Sequence, residues 1–253
     1  MYIKEVLETK GAMLFTLIDP VDYKTPDEAI RTARKCAESC ADMLVIGGSL
    51  EAQGDLLDTV AKGIRDSVDV PLIVFPGNIS TITRHADAIY FMSMLNARNP
   101  YWITQAQTLS APVIKKFNIE PLPVGYIIVQ PGGTAGWIGD ANFVPREKPR
   151  IAASLALAGE FLGNRFIITD TGSNPRLQNS GPVPKEMIRA VKDSISVPYI
   201  VAGGILSANE LRDAYSSGAD IVQIGTAFER SASKKVSTDF SRIVKEEGKR
   251  KLR

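Results

Sequence analysis

Two glycine-containing turns in the last third of the chain have the residue types needed to bind a phosphate group. Gly203-Gly204 and Gly225-Thr226 each follow a short run of apolar residues. Glycines allow backbone N–H groups to approach an anion closely, and two such turns on neighbouring strands form a common phosphate site. Either pair alone could be an ordinary tight turn. The two together favour phosphate binding.

An aspartate and a second glycine pair could add acid–base and metal chemistry. Asp170 ends an apolar run and begins a small polar loop, where it could accept the proton of a substrate hydroxyl or simply cap a turn. Asp19 ends the first apolar run, and Gly47-Gly48-Ser49 ends the second. A carboxylate beside a hydroxyl or carbonyl oxygen suits Mg²⁺, provided that the two runs lie next to each other.

Several other catalytic devices are missing from the sequence. No lysine ends a predicted strand, so a Schiff-base nucleophile is not expected. The single histidine, His85, lies in a short connection and is predicted to be a surface or capping residue. Cys36 and Cys40 are four residues apart on a helical pattern and are predicted to pack there. Neither a Walker P-loop nor a G-x-G-x-x-G motif is present.

Eight short apolar runs predict the strands that position these residues. They are almost continuously apolar, which is typical of parallel strands covered on both faces. Most are separated by segments with helical spacing, and Thr25 and Ser207 are predicted helix N-caps. The runs span residues 12–19, 42–49, 71–78, 86–93, 123–130, 165–172, 198–205 and 220–227.

Eight strands alternating with helices in 253 residues predict the α/β class and a single (β/α)8 TIM barrel over residues 1–253. A doubly wound open sheet is the alternative, but no glycine fingerprint follows strand one. The segment between strands three and four is too short for a crossover helix. We therefore predict a loop or single turn in place of helix three. In a barrel, the candidate residues would meet at the carboxyl ends of the strands.

Composition excludes several classes of protein. There are 30 Lys+Arg and 28 Asp+Glu residues, 44% hydrophobic residues and 23% charged residues, as in an ordinary globular protein. We expect no disorder, no nucleic-acid partner, no membrane-spanning helix and no secretory signal. Two cysteines make no disulfide framework, so the cytoplasm is the expected compartment. The basic C-terminus, about 240–253, is predicted to be a solvated tail.

Aromatic residues after strand four could line a groove for a hydrocarbon chain. Tyr101 and Trp102 lie in this segment, and Tyr126 lies in strand five. Packing around the barrel is the simpler role for each of them. A groove would be energetically important, because each buried methylene contributes about 0.8 kcal/mol.

Several motifs resemble those of archaeal geranylgeranylglyceryl phosphate synthases over about residues 10–230. They are TLIDP, GGS, MLNARNPYWITQAQ, PVGYIIVQPGGTAGWIGDA, VAGGI and IGTAF. The resemblance implies an Mg²⁺-dependent prenyltransferase that joins sn-glycerol 1-phosphate to geranylgeranyl diphosphate and releases diphosphate. This reaction is the first ether-bond step of archaeal membrane lipid synthesis.

The resemblance also implies roles for individual residues. Asp19 and Ser49 would bind magnesium, and Asp170 would accept the proton of the attacking hydroxyl, at a position where relatives often have glutamate. Relatives commonly read Tyr-Leu-Glu-Ala-Gly-Ser-Gly at strand six, and this chain departs from that motif. The residues implied to bind glycerol 1-phosphate are Ile168, Thr169, Asp170, Thr171, Gly172, Ser173, Asn174, Gly203, Gly204, Gly225 and Thr226.

Two other enzymes remain as alternatives. One is a phosphosugar isomerase that uses Asp19 and Asp170 as an acid–base pair, and the other is a barrel that binds a flavin phosphate. Apolar helix faces within QAQTLSAPVI and IAASLALAGEFLG predict a homo-oligomer. The sequence leaves open the preferred prenyl length and any contact of the basic C-terminus with a membrane surface.

Overall fold

Eight parallel strands close into a barrel in a computed structural model, which describes residues 2–230 and 234–253. The strands neighbour one another in chain order, and β8 pairs with β1 to close the barrel. The predicted TIM barrel is therefore confirmed. The strands are β1 (Met13–Ile18), β2 (Met43–Ile46), β3 (Leu72–Val74), β4 (Ala88–Met94), β5 (Glu120–Ile128), β6 (Phe166–Asp170), β7 (Tyr199–Ala202) and β8 (Ile221–Ile224).

Helices surround the barrel, and two of them begin at the N-caps that the sequence predicts. The Thr25 side chain accepts a hydrogen bond from the Glu28 N–H, and Ser207 and Glu210 form a complete capping box. The helices are α1 (Tyr2–Lys10), α2 (Pro26–Ser39), α3 (Gly54–Arg65), α4 (Gln105–Phe117), α5 (Gly133–Ile138), α6 (Pro149–Phe161), α7 (Lys185–Lys192), α8 (Ala208–Ser216), α9 (Thr226–Arg230) and α10 (Lys234–Lys251).

Alternation along the strands separates two apolar cores. On β6, Phe166 and Ile168 pack inside the barrel, whereas Ile167 packs between the barrel and the helices. This period of two makes Asp170 the last inward-facing residue of β6. The side chain of Asp170 is therefore directed towards the open end of the barrel, where the strands finish.

No helix connects β3 to β4, as the short sequence segment predicts. Residues 75–87 instead form bends and turns. The flank of the barrel between these strands and α4 is therefore not covered by a helix. An apolar groove occupies this position, with Ile79, Ile82 and Ile114 among its lining residues.

The C-terminus is a helix, so the prediction of a solvated tail is wrong. Helix α10 buries Phe240 and Ile243, which lie on one face three residues apart. Near its end, the Lys251 ammonium lies 3.3 Å from a carboxylate oxygen of Asp220. The many charged residues obscure this apolar face in the sequence. None of the helices in the described part of the chain combines the length and apolarity that a membrane span requires.

Candidate active site

A polar cavity of about 640 Å³ opens at the carboxyl ends of β6, β7, β8 and β1. Backbone atoms of glycine turns and several acidic side chains form much of its wall. The predicted residues that line it are Asp19, Asp170, Gly172, Ser173, Asn174, Gly203, Gly204, Gly225 and Thr226. The structure thus brings the two predicted glycine turns and both predicted carboxylates to one cavity.

An apolar cleft of about 650 Å³ adjoins the polar cavity. Met92, Met94, Trp102 and Tyr126 contribute to its wall, and Gly48 and Ser49 also line it. The two spaces share five lining residues, namely Leu17, Asp19, Asp170, Gly172 and Ser173. A molecule with a polar head and an apolar tail could therefore occupy both at once.

Asp170 is held in place by two hydrogen bonds. The Tyr126 hydroxyl donates to Oδ2 at 2.9 Å, and the Gly172 N–H donates to Oδ1 at 2.6 Å. Both bonds lower the pKa of the Asp170 carboxyl, but the cost of burying its charge is larger and raises the pKa above 3.8. Burial and the neighbouring carboxylate also raise the pKa of Tyr126, so its hydroxyl keeps the proton that it donates. Asp170 is therefore a fixed carboxylate with raised proton affinity, which makes it a candidate base.

Replacing Tyr126 with phenylalanine should lower the activity that depends on the Asp170 carboxylate. The variant loses a hydrogen bond to a charged group, which is worth about 1.5–3 kcal/mol, so turnover should fall about tenfold or more. In the wild type, this hydrogen bond lowers the pKa of Asp170. Without it, the pKa of Asp170 in the variant should be higher still. Since a base acts only when it is deprotonated, the rise of turnover with pH should move to higher pH. A pH profile of kcat for both proteins measures the shift.

Tyr90→Phe is a matched control for this variant. Its hydroxyl is also buried in the barrel, but it donates to Gln223 Oε1 at 3.0 Å and makes no hydrogen bond with Asp170. Both tyrosine rings pack edge-to-face against Phe75. A pH profile that shifts equally in the two variants, or in neither, would contradict the role of Tyr126.

Gly203 is required where β7 meets the polar cavity. Its φ of +86° lies in the left-handed region, and a β-carbon there would lie 2.6 Å from Asp170 Oδ1. Any other residue would clash with the Asp170 carboxylate and adopt a strained backbone. The glycine turn after β7 and the candidate base are therefore built to fit one another.

Asp19 and Ser49 both line the apolar cleft, at the ends of the adjacent strands β1 and β2. The Asp19 carboxylate lies so close to the Gly48 backbone that a β-carbon on Gly48 would clash with it. Asp19 Oδ1 also accepts a hydrogen bond from the Val21 N–H at 3.2 Å, which caps the turn Pro20–Asp22. Asp19 also lines the polar cavity, whereas Ser49 lines only the apolar cleft.

These residues fit a magnesium ion that also binds a phosphorylated substrate. Burial is the largest effect on Asp19 and raises the pKa of its carboxyl to about 7. No lysine or arginine among the described residues forms an ion pair with it. A half-buried carboxylate that lacks a cationic partner suits a divalent cation, and Mg²⁺ commonly takes one or two protein oxygens plus phosphate and water. The described residues contain no cluster of three His, Cys, Asp or Glu that could bind a metal alone.

The apolar cleft continues into the groove beside the missing helix. The groove has a volume of about 490 Å³ and reaches α4. Trp102 lines both spaces, and so do Pro76, Met92 and Met94. Cleft and groove together form an extended apolar surface that begins beside Asp19.

Three residues of the predicted strand-six segment do not reach either space with their side chains. Ile168 is buried in the barrel core below the mouth. Thr169 faces outward because of strand alternation, and its hydroxyl lies 2.6 Å from the Tyr199 hydroxyl. Thr171 is fully buried beside Gly203. The implied contacts of these three side chains with a substrate are therefore corrected.

Tyr101 is a further correction to the predicted groove. Asn99 Oδ1 accepts a hydrogen bond from the Tyr101 N–H at 2.9 Å and so caps the turn Pro100–Trp102. Within this turn, Trp102 lines the apolar spaces, whereas Tyr101 lines neither and packs edge-to-face on the indole. The two consecutive side chains of this turn therefore point in different directions.

Several lining residues were not predicted from the sequence. Gln223, a buried polar residue inside the apolar run of β8, could have been noticed because such residues usually have a specific partner. Phe75 follows β3 in the same way that Asp19 follows β1. Asp22, Arg176 and Glu229 line the polar cavity from turns and from α9, and no pattern in the sequence indicates them.

Comparisons with known proteins agree on one family. Residues 4–243 match the model of the PcrB family. Geranylgeranylglyceryl phosphate synthase of Pyrococcus horikoshii is 49% identical over 232 residues, covering 92% of this chain and 89% of the relative. The protein of the same name from Methanosphaera stadtmanae is 46% identical over 230 residues, covering 91% and 92%.

A solved structure has the same fold. It is the crystal structure of (S)-3-O-geranylgeranylglyceryl phosphate synthase from Thermoplasma acidophilum in complex with its substrate sn-glycerol-1-phosphate. Its TM-score is 0.89 at 31% identity, and the match covers 95% of this chain and 96% of that one.

Proposed function

The chain belongs to the PcrB family, and from that premise we propose that it is a geranylgeranylglyceryl phosphate synthase. The reaction joins sn-glycerol 1-phosphate to geranylgeranyl diphosphate and releases diphosphate. The observation that carries this proposal is the shared wall between a polar cavity and an apolar cleft, which includes both Asp19 and Asp170.

The polar cavity is the proposed site of glycerol 1-phosphate. Gly203, Gly204 and Gly225 leave backbone atoms accessible at its wall, which is suited to a phosphate group. Asp170 lies on the side shared with the apolar cleft, so a glycerol hydroxyl next to it would face the second substrate. The Thermoplasma acidophilum relative was crystallised in complex with sn-glycerol-1-phosphate, which supports the choice of this substrate.

The apolar cleft and the groove beyond it are the proposed site of the prenyl chain. At about 0.8 kcal/mol for each buried methylene, a long isoprenoid chain would supply most of the binding free energy. The diphosphate would then lie where the cleft begins, beside Asp19 and Ser49.

Magnesium is part of the proposal, with Asp19 and Ser49 as its protein ligands. Such an ion neutralises the charge that develops on a departing diphosphate. Asp19 is suited to be the charged ligand of this ion. Burial raises the pKa of its carboxyl, and a bound cation would favour the ionised form. Ser49 adds a neutral oxygen, since it lines the same cleft.

Asp170 is the proposed base. In the reaction, the bond between the first carbon of the prenyl chain and the diphosphate oxygen breaks, and that carbon bonds to the 3-hydroxyl oxygen of glycerol 1-phosphate. The hydroxyl proton passes to the Asp170 carboxylate, which Tyr126 and Gly172 hold in place. Met92, Met94 and Trp102 exclude water from the carbon that becomes positively charged. Positioning and charge neutralisation suffice, so no covalent nucleophile is needed.

Radiolabelled glycerol 1-phosphate incubated with isoprenoid diphosphates of several lengths tests the proposal. A labelled, solvent-extractable ether that requires geranylgeranyl diphosphate and disappears with EDTA is the expected result. Conversion of a phosphosugar without added metal would instead indicate an isomerase. A purified protein that is yellow would indicate a flavin phosphate site.

Replacing Trp102 with alanine should change the preferred prenyl length. The indole lines both the apolar cleft and the groove, so its removal widens the space where they meet. Burying two more methylenes of a longer chain gives about 1.6 kcal/mol, which corresponds to about tenfold. We expect the ratio of kcat/KM for a 25-carbon diphosphate over the 20-carbon one to rise about tenfold.

Tyr101→Ala is the control for this variant, because Tyr101 lines neither apolar space. The ratio of kcat/KM should stay near the wild-type value in this variant. An unchanged ratio in Trp102→Ala would show that the prenyl chain does not pass the indole.

Assembly and compartment belong to the same proposal. Large apolar residues are exposed on α4 and at the end of α6, including Leu109, Phe161 and Leu162, which supports a homo-oligomer. Light scattering of the purified protein measures its mass directly. Cys36 and Cys40 are both free thiols, which suits the reducing cytoplasm.

A further inference from the structure

The polar cavity has an unusual balance of charge for a site that binds a phosphate. Four carboxylates line it, from Asp19, Asp22, Asp170 and Glu229. Among the described residues of its wall, Arg176 is the one cation. A phosphate monoester carries up to two negative charges at neutral pH, so backbone amides alone would have to hold it against several like charges. An arginine beside the phosphate would remove this conflict.

The turn that carries Arg176 is packed against the glycine turn after β7. Residues Pro175–Gln178 form a single helical turn, and the residues on each side of it have left-handed backbone conformations. Pro175 is buried, and its ring packs against Gly204, where a β-carbon would lie 2.6 Å from Pro175 Cγ. Arg176 therefore extends from a fixed backbone next to the proposed phosphate turn.

Glu210 fixes the direction of the Arg176 side chain. Its Oε1 forms an ion pair with the Arg176 guanidinium. Its Oε2 accepts hydrogen bonds from the Leu206 N–H at 2.9 Å and the Ser207 N–H at 3.0 Å. Both N–H groups belong to the segment that follows Gly203-Gly204. The guanidinium is thereby attached to the same loop that forms the phosphate turn.

Most donors of the guanidinium remain available to a ligand. An arginine has five N–H donors. Among the described residues, this guanidinium donates one hydrogen bond, from Nη2 to Glu210. The side chain is 50% exposed and lines the cavity. By contrast, Arg146 behind the same loop donates to three backbone carbonyls, of Gln130, Gly181 and Pro182, and has a structural role.

We infer that Arg176 binds the phosphate of the acceptor substrate and selects a phosphorylated acceptor over a neutral alcohol, with Glu210 as the residue that positions it. This inference rests on the proposed function and adds a binding residue to it. The planar guanidinium can give two parallel N–H bonds to one phosphate while Glu210 holds its other edge.

Steady-state kinetics of Arg176→Gln test this inference. The KM for glycerol 1-phosphate should rise about ten- to a hundredfold, because a charged hydrogen bond is lost. The KM for geranylgeranyl diphosphate should stay within about twofold, because Arg176 does not line the apolar cleft. Arg176→Lys should recover part of the loss, since it restores the charge without the planar pair of donors.

Two further readouts separate binding from a merely structural role. Inorganic phosphate should inhibit the wild type competitively against glycerol 1-phosphate, and its inhibition constant should rise in Arg176→Gln in parallel with KM. The ratio of kcat/KM for glycerol 1-phosphate over unphosphorylated glycerol should fall by the same factor. Neither quantity would change if the arginine only stabilised the loop.

Arg189→Gln and Glu210→Gln are the matched controls. Arg189 is an exposed arginine of α7 that lines neither cavity, so its variant should keep the wild-type KM. The amide of Glu210→Gln can still accept the capping hydrogen bonds but cannot form the ion pair. Glu210→Gln should raise the KM less than Arg176→Gln does, because the cation is still present.

The outcomes distinguish this inference from the proposed function. An inactive wild type would refute the proposed function itself. An active wild type, together with an Arg176→Gln variant whose KM for glycerol 1-phosphate stays within about threefold, would refute the inference alone. A Glu210→Gln variant that reproduces the full effect would also refute it, since the ion pair rather than the phosphate contact would then be responsible.

Discussion

Replacing Asp170 with asparagine is expected to lower turnover about a hundred- to ten-thousandfold, which is the usual contribution of a general base. The amide has the size of the carboxylate and can still accept the hydrogen bond from the Gly172 N–H, so the loop should keep its shape. An amide cannot take up the hydroxyl proton. Turnover should therefore fall while the KM for the prenyl diphosphate changes little. Steady-state kinetics with each substrate varied in turn make this measurement.

Asp170→Glu is the informative companion variant. It keeps the carboxylate but moves it by one methylene. Glutamate is often present at this position in the family motif that the segment resembles. We expect it to retain much more activity than Asp170→Asn. Wild-type turnover in Asp170→Asn, or equal losses in both variants, would exclude Asp170 as the base.

The substitution Asp170→Asn should also stabilise the protein at neutral pH. Burial raises the pKa of Asp170 in the folded state, so the folded state binds the proton more tightly than the unfolded chain does. The free energy of unfolding of the wild type therefore falls as pH rises through that raised pKa. The amide of the variant has no charge to bury, so the gain should appear at neutral pH and disappear below about pH 3.8.

Thermal unfolding at several pH values checks this expectation. For a domain of this size, each kcal/mol gained raises Tm by about 2–4 °C. A Tm difference between variant and wild type that does not change with pH would show that the buried charge is not its cause.

Replacing Asp19 with alanine is the second large effect that we expect. The proposed magnesium would lose its charged protein ligand, and neutralisation of the leaving diphosphate is worth several kcal/mol. That loss corresponds to about a thousandfold in turnover. The magnesium concentration that gives half-maximal activity should rise as well. Activity measured over a magnesium titration reports both quantities.

Asp19→Asn separates the loss of charge from damage to the backbone. An asparagine oxygen can still accept the hydrogen bond from the Val21 N–H that caps the turn, so the local fold should persist. We expect its activity to be nearly as low as that of Asp19→Ala. Asp27→Asn, which changes a carboxylate in the first turn of α2, outside both cavities, should keep the magnesium dependence of the wild type. Unaltered magnesium dependence in both Asp19 variants would remove the metal from the proposal.

Features that depend on strand order could be predicted from the sequence. The barrel follows from eight apolar runs, and a barrel brings Asp19, Asp170 and the glycine turns to one end because they terminate parallel strands. The missing helix between β3 and β4 was also predictable, because so short a segment cannot form a crossover helix. Each of these conclusions needs only the lengths and ends of the elements.

Side-chain directions within the site could not be predicted in this way. Thr169 and Asp170 are adjacent on β6, and a shift of the strand by one residue would exchange the directions of their side chains. The register of β6 therefore decides which of them faces the cavity. Trp102 lines the apolar spaces and Tyr101 does not, because the two lie in a turn that Asn99 caps. Arg176 reaches the cavity from a loop whose shape depends on tertiary contacts with Gly204 and Glu210. These details require the packed structure.

The wall shared by the polar cavity and the apolar cleft has a consequence for the end of the catalytic cycle. In the proposed reaction, the ether product is one molecule that contains both the glycerol phosphate of the polar cavity and the prenyl chain of the apolar cleft. Tethering two ligands raises the effective concentration of each at its own site, so the product should bind more tightly than either substrate alone. Its escape would then limit the steady-state rate, and lipid vesicles or detergent micelles that extract it would accelerate turnover.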